Sequence, residues 1–231
     1  MKINYLYNHN DYKIFYVDEI NSTNTFFKEN YLNYADKSVL VANKQTQGRG
    51  RLNHKWVSNN DLIFSIIFKE KQNYLIISIA MIKALKEIGL NALIKWPNDI
   101  FLNDIKISGI LIEDIYLNEF NSSIVGIGLN LTDKEEFNVK NLGNLYTIDK
   151  FDLLKIILNK IDELSTLSNE NIILEYKKYS LLYGRNITYK QKEYKVIGFD
   201  ILGYMILKND EEIIKVFYGE VGFSNKSFNL E

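Results

Sequence analysis

Apolar and polar positions along the chain alternate with two periods, and the change from one period to the other marks out the elements. Residues 13–17 (KIFYV) have the period of a strand, and Asn21-Ser22-Thr23 then offers a cap to a helix whose apolar positions are Phe26, Phe27 and Leu32. Residues 38–42 (SVLVA) and 61–68 (DLIFSIIF) are apolar runs of strand length, while 74–88 is apolar at helical spacing and stops at Gly89. Next come a strand at 92–96 (ALIKW), a hairpin of 100–102 and 105–116 around Asn103-Asp104, and a strand at 124–131 (IVGIGLNL). Residues 150–183 return to helical spacing, with a break at 167–169 that makes two helices. Past Gly184 the chain becomes short β segments divided by turn residues (NITYK, EYKVIGFD, GYMILKN, EIIKVFYGEV), which reads as a small barrel or sheet. The expected boundary is therefore a tight junction, with one domain at 1–183 and a second at 184–231.

Composition narrows the function classes. A chain of 231 residues has room for one substantial domain and a small one, and 46% hydrophobic with 25% charged residues is the make-up of a folded protein. Net charge is −1 and the pI is near 6.2, so no whole-protein field favours nucleic acid and any cationic site must be local. With no cysteine, disulfides and thiolate catalysis are excluded. The first residues lack a signal-peptide pattern, and the longest apolar stretch, 75–85, contains Lys83 and is shorter than the ~20 residues that span a bilayer. These observations predict a soluble cytoplasmic protein with neither membrane nor nucleic acid as partner.

The uncommon residue types gather in two places. Of three arginines, Arg49 and Arg51 stand one residue apart in KQTQGRGRLNHKW (44–56), a stretch that also holds His54 and one of two tryptophans, Trp56. The other, Trp96, adjoins the single proline in KWPND (95–99). Gly48-Arg49-Gly50-Arg51 begins just past a predicted strand end, where glycines permit positive φ or close backbone approach and arginines supply forked donors for carboxylate and phosphate. By chemistry it is an anion-binding loop, while taken alone it reads equally as an exposed, flexible Arg/Gly tip; it is neither a dinucleotide fingerprint nor a P-loop, because both the spacing and the Lys-Ser/Thr ending are missing. Pro97 makes KWPND a strand followed by a rigid turn that presents Asn98 and Asp99. Taken singly, each feature also has a plain structural meaning: Ser22, Thr23 and Asn24 as caps, Lys106 as a solvated charge, and Gly109 as a packing constraint within a strand.

Together these segments resemble one family. Asn21 to Asn24, Gln45 with GRGR and Trp56, KWPND, KISGILIE (106–113) and GIGLN (126–130), in this order, are similar to the biotin protein ligases, and GEV at 219–221 is similar to the C-terminal barrel of that family. The resemblance implies an α+β fold, a mixed β-sheet flanked by helices as in the class II aminoacyl-tRNA synthetase-like and biotin-lipoate ligase catalytic domains, followed by a small C-terminal β-barrel. It implies a short form without an N-terminal DNA-binding domain, hence no operator binding. The substrates would be biotin and ATP with Mg2+: the biotin carboxylate attacks the α-phosphate to give biotinyl-5'-AMP, and a lysine of the biotin carboxyl carrier domain of a biotin-dependent carboxylase then takes the acyl group. Family members occur as monomers and dimers, so a homodimer is admitted.

Carried over residue by residue, the resemblance implies biotin contacts from Ser22, Thr23, Asn24, Gln45, Gly48, Arg49, Gly50, Arg51, Lys106 and Gly109. It assigns the nucleotide to Arg51, Lys55, Trp56, Asn98, Lys106 and Asn130, gives Lys106, Arg49 and Arg51 the catalytic charge stabilisation, and makes Asp99 a candidate aid to the metal. Two positions depart from the pattern: His54 stands where many bacterial relatives have an arginine, and Ser224 replaces an arginine after GEV. The alternatives are a lipoate protein ligase using the same adenylation chemistry and a non-catalytic biotin- or nucleotide-binding regulator. GRGR with KWPND favours biotin, and the retained Lys106 and loop arginines favour turnover.

Overall fold

The computed structural model describes residues 2–51, 54–57, 61–117, 120–131, 148–217 and 222–223. The GEV segment at 219–221 and Ser224 lie outside the described residues. In chain order the elements are β1 (Asn4–His9), β2 (Tyr12–Ile20), α1 (Thr23–Glu29), a 3-10 turn (Tyr31–Asn33), β3 (Ser38–Gln45), β4 (Leu62–Phe68), α2 (Tyr74–Glu87), β5 (Leu93–Lys95), β6 (Asp99–Leu102), β7 (Ile105–Leu117) and β8 (Phe120–Leu129). There follow α3 (Lys150–Ser165), α4 (Asn169–Tyr179), β9 (Asn186–Tyr189), β10 (Lys192–Phe199), β11 (Met205–Lys208), β12 (Ile213–Val216) and β13 (Gly222–Phe223). The sequence pattern anticipates nearly all of these. It misses β1, whose polar make-up (NYLYNH) carries little alternation, and it places Leu32 in a helix face although that residue is 83% exposed in the 3-10 turn.

Two compact units organise the described residues: 1–72 with 105–158, and 73–104 with 159–231. In the first, strands run in the order β1-β2-β3-β4-β8-β7, with β2 and β3 parallel and the other pairs antiparallel. All seven residues of β4 are buried, because it lies between β3 and β8 with both faces covered, and this is why DLIFSIIF reads as a continuous apolar run. Phe27 of α1 and Tyr31 of the 3-10 turn pack with Val17, Ile20, Leu40, Ala42, Ile67 and Ile124 of the sheet. The Tyr31 hydroxyl finds a partner in Ser122 Oγ, so the buried phenol is satisfied.

The second unit contains the β5–β6 hairpin, α2, α4 and a separate antiparallel sheet. Asn73 caps α2 by accepting from Leu75 N at 2.8 Å, and Gly89, at φ 87°, ends it. An ion pair, Lys83 to Glu175 at 3.1 Å, links α2 to α4. The Trp96–Pro97 bond is cis, and the Trp96 indole donates to Gly203 O at 2.8 Å. The C-terminal sheet has the order β12-β11-β10-β9-β13, which corrects the expected barrel: it is open, since among the described residues the edge strands β12 and β13 do not pair. Closure would need the two edge strands to pair with each other, and β12 and β13 stand at opposite edges of the sheet.

Candidate active site

The site is built in the first unit, on a bare strip of sheet. Ser65 of β4, Gly126 of β8 and Leu111 of β7 stand in one row, and two residues further along β8, Gly128 lies between Ile63 and Gly109. Side chains at i and i+2 share a face of a strand, so Gly126 and Gly128 leave two adjacent gaps on the same surface. Each gap is filled from outside the sheet. The Asn24 carboxamide lies over Gly126, where an added Cβ would stand 2.9 Å from its Cγ and 3.0 Å from its Nδ2. The Trp56 indole lies over Gly128, where a Cβ would come within 2.6 Å of Nε1, and its Cζ3 would be 3.2 Å from a Cβ on Gly109. Its buried Nε1 has no hydrogen-bond partner among the described residues.

Ser22 is the N-cap of α1, with extended backbone, and its hydroxyl accepts from Thr25 N at 3.3 Å. The cap turns the next two residues inward, so Thr23 and Asn24 are buried at 2% and 4% exposure. Gln45, at the end of β3, uses Oε1 to accept from Thr23 N at 2.7 Å and approaches Thr23 Oγ1 at 3.1 Å. Ser65 Oγ lies 2.6 Å from Thr23 Oγ1 and 2.5 Å from Asn24 Oδ1. On its other side Asn24 donates through Nδ2 to Glu113 Oε2 at 2.9 Å and, at 3.4 Å, to Leu111 O. A polar chain thus runs from Gln45 through Thr23, Ser65 and Asn24 to Glu113.

The cationic loop joins this chain at its far end. Arg49 Nη2 donates to Glu113 Oε1 at 3.3 Å and to Thr25 Oγ1 at 3.2 Å, while Lys28 Nζ reaches the same carboxylate oxygen at 3.0 Å. Burial pushes the Glu113 carboxyl up, but hydrogen bonds from Asn24 and Lys28 and the charges of Arg49 and Lys28 outweigh it and hold the group below the usual range. The loop closes on itself as a small hairpin: Gly50 N donates to His54 O, His54 N to Arg51 O and Trp56 N to Gly48 O, with Arg49 bridged to Lys55. Gly48 is needed because a Cβ there would lie 2.5 Å from the Trp56 carbonyl. Neither Gly48 nor Gly50 has the positive φ that the sequence allowed, so close approach is what requires the first of them.

Lys106, the second residue of β7, is exposed, with Nζ 6.0 Å from the Trp56 ring centroid and 3.7 Å from where a Gly109 Cβ would be. Asn130, 6% exposed, donates its backbone N–H to Ile107 O at 2.8 Å, and the fully buried Asp61 accepts from Leu131 N at 3.1 Å. The structure therefore brings Thr23, Asn24, Gln45 and Arg49 into one polar chain, and Trp56, Lys106 and Gly109 to one end of the glycine strip. Arg51 and Lys55 belong to the loop hairpin. Asn98, 8% exposed, and Asp99 belong to the second unit. Among the described residues, no three His, Cys, Asp or Glu side chains are grouped so as to hold a metal ion. Sequence reasoning overlooked Ser65 and gave Glu113 no role; the available signals were a hydroxyl inside the apolar run DLIFSIIF and a carboxylate ending the apolar run GILIE.

Residues 16–130 match the profile of the biotin/lipoate A/B protein ligase family. The bifunctional ligase/repressor BirA of Bacillus subtilis is 30% identical over 237 residues, an alignment that covers 90% of this chain and 73% of the relative. The chain belongs to the biotin/lipoate A/B protein ligase family. Among solved structures of the ligases, the Aquifex aeolicus biotin protein ligase in complex with biotin and ATP superposes with a TM-score of 0.75 at 27% identity, covering 90% of this chain and 97% of that one. The Leishmania major biotin protein ligase, solved with biotinyl-5-AMP, has the same fold at a TM-score of 0.60 and 21% identity. In this family member the glycine strip, the cationic loop and, apart from Ser65, the polar chain fall on segments that carry the sequence resemblance. Among its described residues, no helix is long and apolar enough to cross a membrane.

Proposed function

We propose that this chain is an ATP-dependent biotin protein ligase that makes biotinyl-5'-AMP and passes the biotinyl group to a lysine of a biotin carboxyl carrier domain. The observation that carries the reading is the glycine strip roofed by Asn24 and Trp56, with buried polar groups at one end and Lys106 at the other. The hydrogen-bonding groups suit a ureido ring, which has two N–H donors and one carbonyl acceptor. Ser22 Oγ is already an acceptor for Thr25 N, so its own proton is left for a ring carbonyl. Asn24 Oδ1 takes Ser65 on one lone pair and keeps the other for a ring N–H.

In the first half-reaction a biotin carboxylate oxygen attacks the α-phosphorus and the bond to the β-phosphate oxygen breaks, releasing pyrophosphate. Two anions must meet, and we assign Lys106, Arg49 and Arg51 to offsetting their repulsion and the charge that develops at phosphorus. In the second, the lysine amine attacks the acyl carbon, loses a proton and displaces AMP. For the nucleotide we propose Arg51, Lys55, Trp56, Lys106 and Asn130, and by motif Asn98. Magnesium would enter with the ATP phosphates, with Asp99 by motif a candidate aid to its site. We further propose a catalytic domain at 1–183 with a small domain at 184–231, and the cytoplasm as the compartment that supplies ATP and acceptor. Self-association is read by sedimentation of the purified chain with and without biotin and ATP.

The test is pyrophosphate release with biotin against lipoate, followed by transfer of labelled biotin to an acceptor domain. Biotin-dependent release and transfer are expected; release with lipoate alone, or none with either acid, overturns the reading.

A further inference from the structure

We infer that Glu113 and Ser65 are positioning residues that hold the Asn24 carboxamide in one sense, and so decide which hydrogen-bonding group it turns toward the head group of the bound acid. The inference rests on the biotin-activating reading above.

A carboxamide turned by half a rotation fills nearly the same space with its oxygen and nitrogen exchanged, so shape alone does not choose between the two senses. Gly126 fixes where the Asn24 amide lies, as a flat group against the sheet, but contributes nothing to its direction. Its partners do. The Glu113 carboxylate and the Leu111 carbonyl only accept, so the side of Asn24 that faces them must be the NH2 group. The opposite side, Oδ1, faces Ser65 Oγ at 2.5 Å and can only accept, so the Ser65 proton goes there. Ser65 has a single proton, so its 2.6 Å contact with Thr23 Oγ1 takes the Thr23 proton, which has a second acceptor in Gln45 Oε1 at 3.1 Å. The Thr23 backbone N–H serves Gln45 Oε1 at 2.7 Å. The NH2 side of Asn24 is thus fixed by Glu113 and Leu111 and its oxygen side by Ser65, and reversing Asn24 would set NH2 against a proton already pointing at it and oxygen against a carboxylate.

In the sense observed, Asn24 offers an acceptor to an N–H of the ligand. In the reversed sense it offers a donor, which a ureido N–H cannot use. Glu113 is well suited to the task because its charge is retained: it is 17% exposed and bonded to Lys28 and Arg49 on Oε1, which leaves Oε2 for Asn24.

The test uses the full chain, with steady-state pyrophosphate release measured while biotin and ATP are varied separately. Glu113→Ala and Ser65→Ala are each expected to raise the KM for biotin about tenfold, equivalent to one lost hydrogen bond of ordinary strength, and to leave the KM for ATP within about twofold. Glu113→Gln keeps a carbonyl that can accept from Asn24 Nδ2, so it should return the biotin KM to within about threefold of the parent. Combined with Asn24→Ala, Glu113→Ala should add less to the biotin KM than it does alone, because the share carried by Asn24 is already lost and only the share carried by Arg49 remains. A role confined to folding would lower the melting temperature without separating the two KM values. An unchanged biotin KM in folded Glu113→Ala, failure of Glu113→Gln to restore it, or full additivity with Asn24→Ala overturns the inference while leaving biotin activation in place. A parent chain that releases no pyrophosphate with biotin overturns both. Should Ser65→Ala fail to fold, the two Glu113 variants, at a partly exposed position, decide the matter.

Discussion

Asn24 and Gly126 share one space: the carboxamide of the first occupies the volume that any side chain on the second would need, with its Cγ 2.9 Å from the missing Cβ. The two residues lie on α1 and β8, and their fit is what lets a polar group lie flat on the middle of the sheet. Gly126→Ala forces either Asn24 or the strand to move. Overpacking of this kind costs about 1–3 kcal/mol, which a urea titration will register. The displaced amide should also weaken biotin binding, so the KM for biotin should rise while that for ATP holds. A Gly126→Ala chain with normal biotin KM would mean that Asn24 is not a ligand contact.

Trp56 reports on the other half of the strip. Its indole covers Gly109 and Gly128 with Nε1 unpartnered among the described residues, whereas Trp96 is tied to Gly203 O. A ligand entering over these glycines must displace the ring or give Nε1 a partner. In Trp96→Phe, where Trp56 is the sole tryptophan, saturating biotin should therefore shift the emission maximum of selectively excited tryptophan. A spectrum indifferent to biotin and ATP alike would place the ligand elsewhere.

Lys106 is exposed near the start of β7, so its removal should not disturb folding. Placed to meet the carboxylate and the α-phosphate, it should matter to chemistry. Lys106→Ala is expected to lower the rate of pyrophosphate release about a hundredfold, the usual cost of one charge-stabilising donor, with an unchanged unfolding curve. Adenylate formation at the parent rate would remove Lys106 from the catalytic set.

The Glu113 carboxylate makes stability depend on pH in a definite direction. In an unfolded chain a glutamate titrates at about 4.3. In the folded protein hydrogen bonds from Asn24 and Lys28 and the charges of Arg49 and Lys28 outweigh burial and hold it lower. The carboxylate therefore contributes stability that is fully present above the unfolded value and is lost as pH falls through the folded one. Urea unfolding of the parent and Glu113→Gln should differ by a constant amount at about pH 6 to 8, with the gap closing on acidification. A gap that widens in acid would show that the charge is not stabilising.

Much of this molecule was determined by its sequence alone, since strand and helix periods, the Gly89 stop and the break at 167–169 are local properties. They gave the order of elements in both units almost without error, and the rare residues of GRGR and KWPND marked the segments of interest. Hydrogen bonds between distant positions were beyond that kind of inference. Ser65 reaches Asn24 across 41 residues and Glu113 reaches it across 89, and neither spacing leaves a trace in local pattern. Tertiary structure decided that Gly126 and Gly128 form a floor, that Arg49 is bonded to Glu113, and that the C-terminal strands form an open sheet. The reason is that periodicity reports which face of an element is buried, whereas the groups that meet there are set by register between strands and by the seating of α1 on the sheet.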